Sequence, residues 1–392
     1  MNTTGTGLYI GLMSGTSMDG VDAVLVDVGP SAFKLIATHY LPYPQGLAER
    51  LLALQTPGEN ELHVAAQLGI EVTRLYDQAV KCLLEKAGIS AESIHSERAL
   101  AREQPSPPSP GRGRGGRLSI LAIGCHGQTV RHNPKAGYTL QLGNPALLAE
   151  LSGIRVVADF RSRDIAAGGE GAPLVPAFHD AAFRSPTAHR VALNIGGFAN
   201  VTDLNPHSAT TGFDTGPGNI LLDAWVRRHS GRAFDEGGAW AAQGRVHQPL
   251  LDALLGHPYF SSAPPKSCGR EQFNLDWLES HLLAGIAPAD VQATLLELTA
   301  SSIASAIRRW LGVPDELIVC GGGAHNQTLL ERLGACLPPT RVLTSDALGI
   351  GADWVEAVAF AWLARQTLLG LPGNLPAVTG SRGARVLGAI YP

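Results

Sequence analysis

Three glycine-rich turns stand directly behind apolar runs, and they are the first residues of this sequence whose types suggest chemistry. They are Gly15-Thr16-Ser17 in "YIGLMSGTSMDGVDAVLVDV", Gly196-Gly197 in "RVALNIGGFANVTDL" and Gly321-Gly322-Gly323 in "ELIVCGGGAHNQTLLERLG". Glycine lets the backbone approach a ligand closely, and successive main-chain N–H groups can then cup phosphate oxygens. The hydroxyls of Ser14, Thr16 and Ser17 add donors without bulk. No GK[ST] occurs, so the lysine of a P-loop is missing. The Rossmann GxGxxG is also missing, and "SGTSMDG" leads into a strand instead of a helix. "CGGGAHN" does lead into a helix, whose N-terminus can take a phosphate or the sugar and base of a nucleotide.

Asp214 in "GFDTGPGN" is the candidate general base. The sequence places it at a strand end in a turn of Gly and Pro, with little bulk to crowd a substrate. An Asp there can accept a proton from water or a hydroxyl. It can equally make an Asx-turn or cap a helix starting near Asn219, and the sequence leaves both open. Asp19 and Asp22 can hold a magnesium-bound water or stabilise their turn. "CHGQTVRH" and "ADFRSRDIAAGGEGAPLVPAFH" supply His126, Gln128, Arg131, Asp159, Arg161 and Asp164. His126, Gln128 and Arg131 can hydrogen-bond a polar substrate; Asp159, Arg161 and Asp164 can do the same or form an internal ion-pair network. Cys125 and His126 are adjacent, so on a strand they point to opposite faces and make no nucleophilic pair. The thirteen His show no HExxH-like spacing, and no structural zinc is expected.

The elements that must position these groups follow from pattern. Strands are predicted at 8–14, 21–28, 118–130 and 154–160, and helices at 63–88 and 144–153. The second half resumes with strand–Gly turn–strand over 190–204, a turn entering a helix at 212–231, and a helix at 290–312. Strand, three glycines and helix follow at 316–334, then a helix at 353–370. Such alternation indicates α/β layers. The strand–Gly–strand unit opening each half suggests duplication, with a cleft to which each half gives a loop; two unrelated hairpins are the alternative. The stretch "EQPSPPSPGRGRGGRLS" (103–119) reads as a solvated surface insertion. As an RGG-like nucleic-acid tether it would have a small electrostatic footprint.

Length and composition bound the rest. At roughly 100–200 residues per domain, 392 residues suggest two domains or one large α/β unit. A composition 45% hydrophobic and 16% charged is that of an ordinary soluble chain. The net charge of −4 points to neither a nucleic-acid nor a membrane partner. Five Cys (82, 125, 268, 320 and 336), odd in number and without CxxC, read as buried thiols of a reducing compartment. "MNTTGTG" lacks the basic and apolar regions of a signal peptide. No apolar run approaches the roughly 18–20 residues that span a bilayer. A cytoplasmic protein is expected.

Taken together, "GLMSGTSMDGVD", "GCHGQTVRH", "QLGNPALLAELSGI", "VVADFRSRDIAAGGEGAPLVPAFH", "LNIGGFANV", "GFDTGPGN", "PPKSCGREQFN", "CGGGAHN" and "EAVAFAWLA" resemble, in order, the anhydro-N-acetylmuramic acid kinase family. The resemblance covers nearly the whole chain. It implies an α/β fold of two duplicated ribonuclease-H-like (actin/hexokinase-type) domains around a central ATP cleft. The domains are expected at 1–150, with the 97–118 insertion and joined by 375–392, and at 151–374. The implied activity uses ATP and water to open 1,6-anhydro-N-acetylmuramic acid and phosphorylate O6, in bacterial peptidoglycan recycling.

By the same resemblance, Gly15, Thr16, Ser17, Met18, Asp19, Gly20, Val21 and Asp22 form the ATP loop. On their own pattern, Gly196, Gly197, Gly321, Gly322 and Gly323 are the further candidates for nucleotide contact, and Asp19 the candidate for holding Mg²⁺ through a water. Asp214 matches the base that activates water, and Glu356 matches an acidic position near the site. His126, Gln128, Arg131, Asp159 and Arg161 are the other substrate candidates. The family also suggests a homodimer.

The chemistry has a physical logic. O6 is locked in an acetal and carries no proton, so a base must act on water; ring opening then frees O6 to attack phosphorus. The chain departs from the family pattern at the 97–118 insertion, at Glu170 (Gln expected), at Cys268 (Thr or Ser expected) and at Cys125 (Ser usual). The rival readings are an ordinary sugar kinase acting on a free hydroxyl, and a non-catalytic ATP-binding scaffold of the same fold.

Overall fold

The computed structural model describes residues 7–15, 18–29, 32–89 and 119–392. The whole 97–118 insertion, and Thr16 and Ser17, lie outside them. The chain divides into two units: residues up to Phe178 with Glu356–Pro392, and His179–Val355.

The first unit begins with β1 (Gly7–Ser14), β2 (Gly20–Val28) and β3 (Phe33–Pro42), a meander of antiparallel neighbours. The helix α1 (Glu61–Lys86) leads to β4 (Ile120–Asn133), which lies parallel to β1. β5 (Tyr138–Leu142) folds back on β4 as a hairpin. The short helix α2 (Pro145–Ser152) leads to β6 (Val156–Ala158), parallel to β4.

The second unit repeats this plan. β7 (Arg190–Ile195), β8 (Phe198–Leu204) and β9 (Thr211–Pro217) form an antiparallel meander. After α3 (Ile220–Ser230) and α4 (Pro288–Trp310), β10 (Glu316–Cys320) pairs parallel to β7. α5 (Gln327–Cys336) then leads to β11 (Arg341–Thr344), parallel to β10. The helix α6 (Val355–Leu368) precedes β12 (Ala389–Tyr391), which returns to the first sheet beside β6.

Both sheets thus share one strand order. Counting strands within each unit and leaving out the β5 hairpin and β12, the order is 3-2-1-4-5, with strand 2 antiparallel. In each, the long helix joins the third strand to the fourth and a shorter one joins the fourth to the fifth. The strand–Gly–strand units at 8–28 and 190–204 are therefore equivalent, as a duplication requires.

The sequence explains these elements. β1 is buried along nearly its whole length, so its pattern is continuous instead of alternating. α1 buries Leu68, Val72, Tyr76, Val80 and Leu83 at helical spacing beneath Leu8, Ile10 and Leu12. α4 starts with a Pro in its first turn and buries Leu295, Ile303 and Ile307 against Val191, Leu193 and Leu317.

The unit boundaries fall at 178 and 355, away from the 150 and 374 expected from sequence. β6 belongs to the first sheet because Val156 and Val157 pair with Ile123 and Gly124. Likewise α6 belongs to the first unit, because Gly11 and Gly124 let its backbone descend onto β1 and β4. A Cβ on Gly11 would overlap the Ala357 carbonyl, and one on Gly124 that of Phe360. No described helix is long and apolar enough to cross a membrane.

This contact predicts a difference between two glycines of the same strand. Gly11→Ala must displace helix backbone and should cost about 3 kcal/mol, read as a large fall in thermal midpoint. Gly7→Ala meets only the end of the Leu121 side chain, 2.7 Å away, and should cost far less.

Candidate active site

The turn after β1 is fastened from inside the first unit. Ser14 is buried; its hydroxyl hydrogen-bonds the Tyr76 hydroxyl at 2.7 Å and the Gly127 carbonyl at 3.3 Å. It is therefore a support and not a free phosphate donor. The Gln128 amide donates to the Gly15 carbonyl at 3.1 Å, while its oxygen accepts from the Tyr43 hydroxyl at 2.8 Å. Gln128 so holds the turn in place. Met18 and Val21 send their side chains into the core. Gly20 is required by packing, since a Cβ there would lie 2.6 Å from the Leu41 carbonyl. Asp19 is exposed, and Asp22 lies on β2 opposite Tyr40. Both carboxylates help to push the Tyr40 hydroxyl up to about 12, after desolvation, which is the larger cause.

A second group collects around His126, in the middle of β4, and the residues just beyond β6 in the same unit. Arg161 donates from Nε (3.1 Å) and a terminal nitrogen (2.8 Å) to His126 Nε2, and to the Gly171 carbonyl at 2.8 Å. A guanidinium can only donate, so Nε2 must accept and the His126 proton sits on Nδ1. Desolvation, then the Arg161 charge, hold His126 well below its usual range, so it is neutral. Desolvation brings Arg161 down to about 10 against the opposing charge of Glu356, so it stays cationic at neutral pH. It also raises Glu356, which Arg161 partly offsets. Asp159 is exposed just beyond β6 with φ +59°, a left-handed conformation uncommon outside glycine.

Two sequence candidates are structural. Arg131 is paired with Glu61 (2.6 Å) and bonded to the Leu54 carbonyl (3.1 Å), which ties β4 to α1. Asp164 is fully buried and accepts from Gly171 N, Asn374 and Thr379, fastening the C-terminal segment to the first unit. Cys125 joins the core under α1, while His126 packs its ring against Phe360 of α6, 4.7 Å between centroids. The two residues do face apart.

In the second unit, Asp214 lies within β9 and not in the turn expected from sequence. It neither caps α3 nor makes an Asx-turn. Its pairing with Asn200, followed by Gly216 with Ala199, leaves Thr215 as a bulge, a device that re-aims side chains. The Asp214 N–H donates to the Lys266 carbonyl (3.1 Å), and its own carbonyl accepts from the Tyr259 hydroxyl (2.6 Å). Oδ2 accepts from the Cys268 N–H at 3.2 Å. Oδ1 has no hydrogen-bond partner among the described residues. Burial raises this carboxyl to about 6, and the Cys268 N–H opposes the rise. It is a carboxylate raised toward neutrality, with one oxygen held by a main-chain donor.

The remaining glycines divide by cause. Gly321 has φ +78°, and a Cβ on Gly323 would lie 2.5 Å from Ile195 Cβ, so both are imposed by the fold. Gly196, Gly197 and Gly322 have ordinary φ, and a Cβ on them meets nothing closer than 3.7 Å. No packing in this unit explains them.

The sequence profile of the family described as anhydro-N-acetylmuramic acid kinase matches residues 7–99 and 117–392. The chain belongs to this family. It is 53% identical over 386 residues to the anhydro-N-acetylmuramic acid kinase of Nitrosomonas europaea, covering 98% of this chain and 99% of that one. It is 54% identical over 389 residues to that of Thiobacillus denitrificans, covering 98% and 97%. The Pseudomonas fluorescens kinase is 49% identical over 387 residues, covering 98% and 99%. The match skips 100–116, so the Pro/Gly/Arg stretch is an insertion relative to the kinase family.

Sequence reading missed the supports of these groups. Tyr43, Tyr76, Tyr259 and Lys266 carry no motif signal of their own, although "PPKSC" had marked the stretch that reaches Asp214. The glycines of this kinase family member give a direct test. Gly197→Ala and Gly322→Ala should keep the wild-type thermal midpoint, yet raise the KM for ATP roughly ten- to a hundredfold by displacing bound phosphate. Gly323→Ala should lower the midpoint itself.

Proposed function

We propose that this chain is an ATP-dependent kinase that hydrolytically opens 1,6-anhydro-N-acetylmuramic acid and phosphorylates O6, giving N-acetylmuramic acid 6-phosphate. Its place would be the recycling of bacterial cell wall, in the cytoplasm, as a homodimer. Membership of the family supports the reaction. The observation that carries the mechanism is Asp214: its backbone and one carboxylate oxygen are held, and the other oxygen is left to take a proton.

In this mechanism Asp214 Oδ1 accepts a proton from water as that water attacks the anomeric carbon. The C1–O6 bond breaks, and O6 leaves with its electron pair. O6 then attacks the γ-phosphorus, and ADP departs. A base near pH 6 suits this step, being ionised at neutral pH yet basic enough to accept the proton. The turn at Gly15–Asp22 and the open glycines Gly196, Gly197 and Gly322 would present main-chain N–H groups to the nucleotide. His126, Asp159, Arg161 and Glu356 are the polar groups assigned to the sugar. Arg161 would act as a fixed cation, with neutral His126 as its support.

No group of three ligating side chains exists among the described residues. Mg²⁺ would therefore ride on the phosphates and water, in keeping with its preference for few protein ligands. Exposed Asp19 would hold one such water. The ion's contribution when bound is to neutralise phosphate charge.

Asp214→Asn should lower turnover by about 10²–10⁴-fold while ATP binding, followed by calorimetry, stays intact. Near wild-type turnover would remove Asp214 from the base role. In the wild type, kcat/KM should fall as pH drops through about 6, because protonated Asp214 cannot accept a proton. Reaction in ¹⁸O-water should label the anomeric oxygen under conditions that exclude later exchange. Absence of label would indicate an ordinary sugar kinase.

A further inference from the structure

Asp214 sits on β9, an edge strand of its sheet, and among the described residues no neighbouring strand fixes its outer side. One short stretch does this instead. Between residues 259 and 268 the chain engages the Asp214 N–H, carbonyl and Oδ2. The shortest of these contacts is the 2.6 Å bond from the Tyr259 hydroxyl to the Asp214 carbonyl.

Tyr259 is itself anchored on several sides. Its ring packs edge-on against Phe273 (5.6 Å between centroids) and Phe260 (6.0 Å). Phe273 in turn packs against Trp277 and His257. Lys266 Nζ lies 4.5 Å over the Tyr259 ring and donates to the Tyr259 carbonyl at 3.0 Å. Phe260 also fills the space above Gly216, where a Cβ would lie 2.8 Å from its ring.

We infer that Tyr259 is a positioning residue for the reaction: its hydroxyl locks the Asp214 peptide so that Oδ2 stays on the Cys268 N–H and Oδ1 faces the water to be activated. The inference rests on the base role proposed for Asp214. Tyr259 touches neither sugar nor nucleotide in this scheme and acts through Asp214 alone. Its hydroxyl is buried and neutral; desolvation, Cys268 and Asp214 all raise its pKa. It is therefore a lasting donor across the working pH range. The other titratable and charged groups facing this cluster are the Cys268 thiol, pushed up to about 12 chiefly by burial, the Lys266 ammonium, Glu271 beside Cys268, Arg309 beside Lys266, and His257, lowered by burial, whose ring packs on Phe260 and Phe273. The thiol and the ammonium keep their charge across pH 6, and His257 meets the aromatic rings while the Asp214 carboxyl is set by burial and the Cys268 N–H, so an acid limb that shifts with the Tyr259 hydroxyl reports Asp214.

The test is Tyr259→Phe, which keeps the ring and removes only the hydroxyl. Turnover should fall roughly tenfold or more, with the KM for ATP unchanged. The acid limb of kcat/KM should move above about 6, because a loosened Cys268 N–H no longer favours the charged carboxylate. Lys266→Met, which frees Tyr259 without touching its hydroxyl, should move both readouts in the same direction to a smaller extent. Wild-type turnover with an unmoved limb in Tyr259→Phe would overturn the inference. So would a fall in turnover matched by a fall in ATP-binding stoichiometry with the limb unmoved, since that is loss of folded protein. Asp214→Asn run in parallel separates the failures. If Asp214→Asn is inactive and Tyr259→Phe is wild-type, the base stands and the positioning role falls. If Asp214→Asn is active, the base itself falls.

Discussion

A carboxylate that is to take a proton from water must sit where water is scarce and still carry its charge. Burial alone would leave it protonated, and full exposure would leave it a weak base. Asp214 is held between these limits by one main-chain donor. The Cys268 N–H favours the ionised form, and desolvation opposes it, bringing the group to about 6. That donor is useful only if the carboxylate cannot swing away from it. The β9 bulge, the Lys266 carbonyl and the Tyr259 hydroxyl answer this need. Much of the local architecture, including the aromatic packing of Phe260, Phe273 and Trp277, follows from holding one peptide still.

The first unit obeys a related logic with different parts. Its turn after β1 is held at Ser14 and Gly15 by Tyr76 and by Gln128, which Tyr43 steadies in turn. Arg161 keeps its charge in a desolvated place because His126 accepts from it as a neutral ring and Glu356 lies close in charge. In this unit, side chains that look chemically active in the sequence, Ser14, Gln128 and His126, serve as fixtures for others.

This division marks what was legible in the sequence. The duplicated α/β plan was readable, since apolar strands followed by glycines are local patterns and recur in both halves. The position of Asp214 was readable as a carboxylate among small residues, but its setting was not. The bulge at Thr215 depends on pairing with Asn200, and the Cys268 contact joins residues far apart in the chain. Gln128, Arg131 and Asp164 read as substrate ligands or internal partners, and only tertiary geometry shows that they fasten the fold. The unit boundaries were misplaced for the same reason. Val156 reads like any strand residue, and pairing with Ile123 decides which sheet it joins.

The stretch that steadies Asp214 has one more consequence. β9 ends its sheet, and an open sheet edge offers its main-chain groups to any other strand that drifts past. At Asp214 those groups are already engaged by Lys266 and Tyr259, so a foreign strand finds no continuous ladder to extend. Protection against edge-to-edge aggregation is thereby built from the same bonds that hold Asp214, the proposed proton acceptor. A variant that loosens the stretch would risk solubility along with turnover.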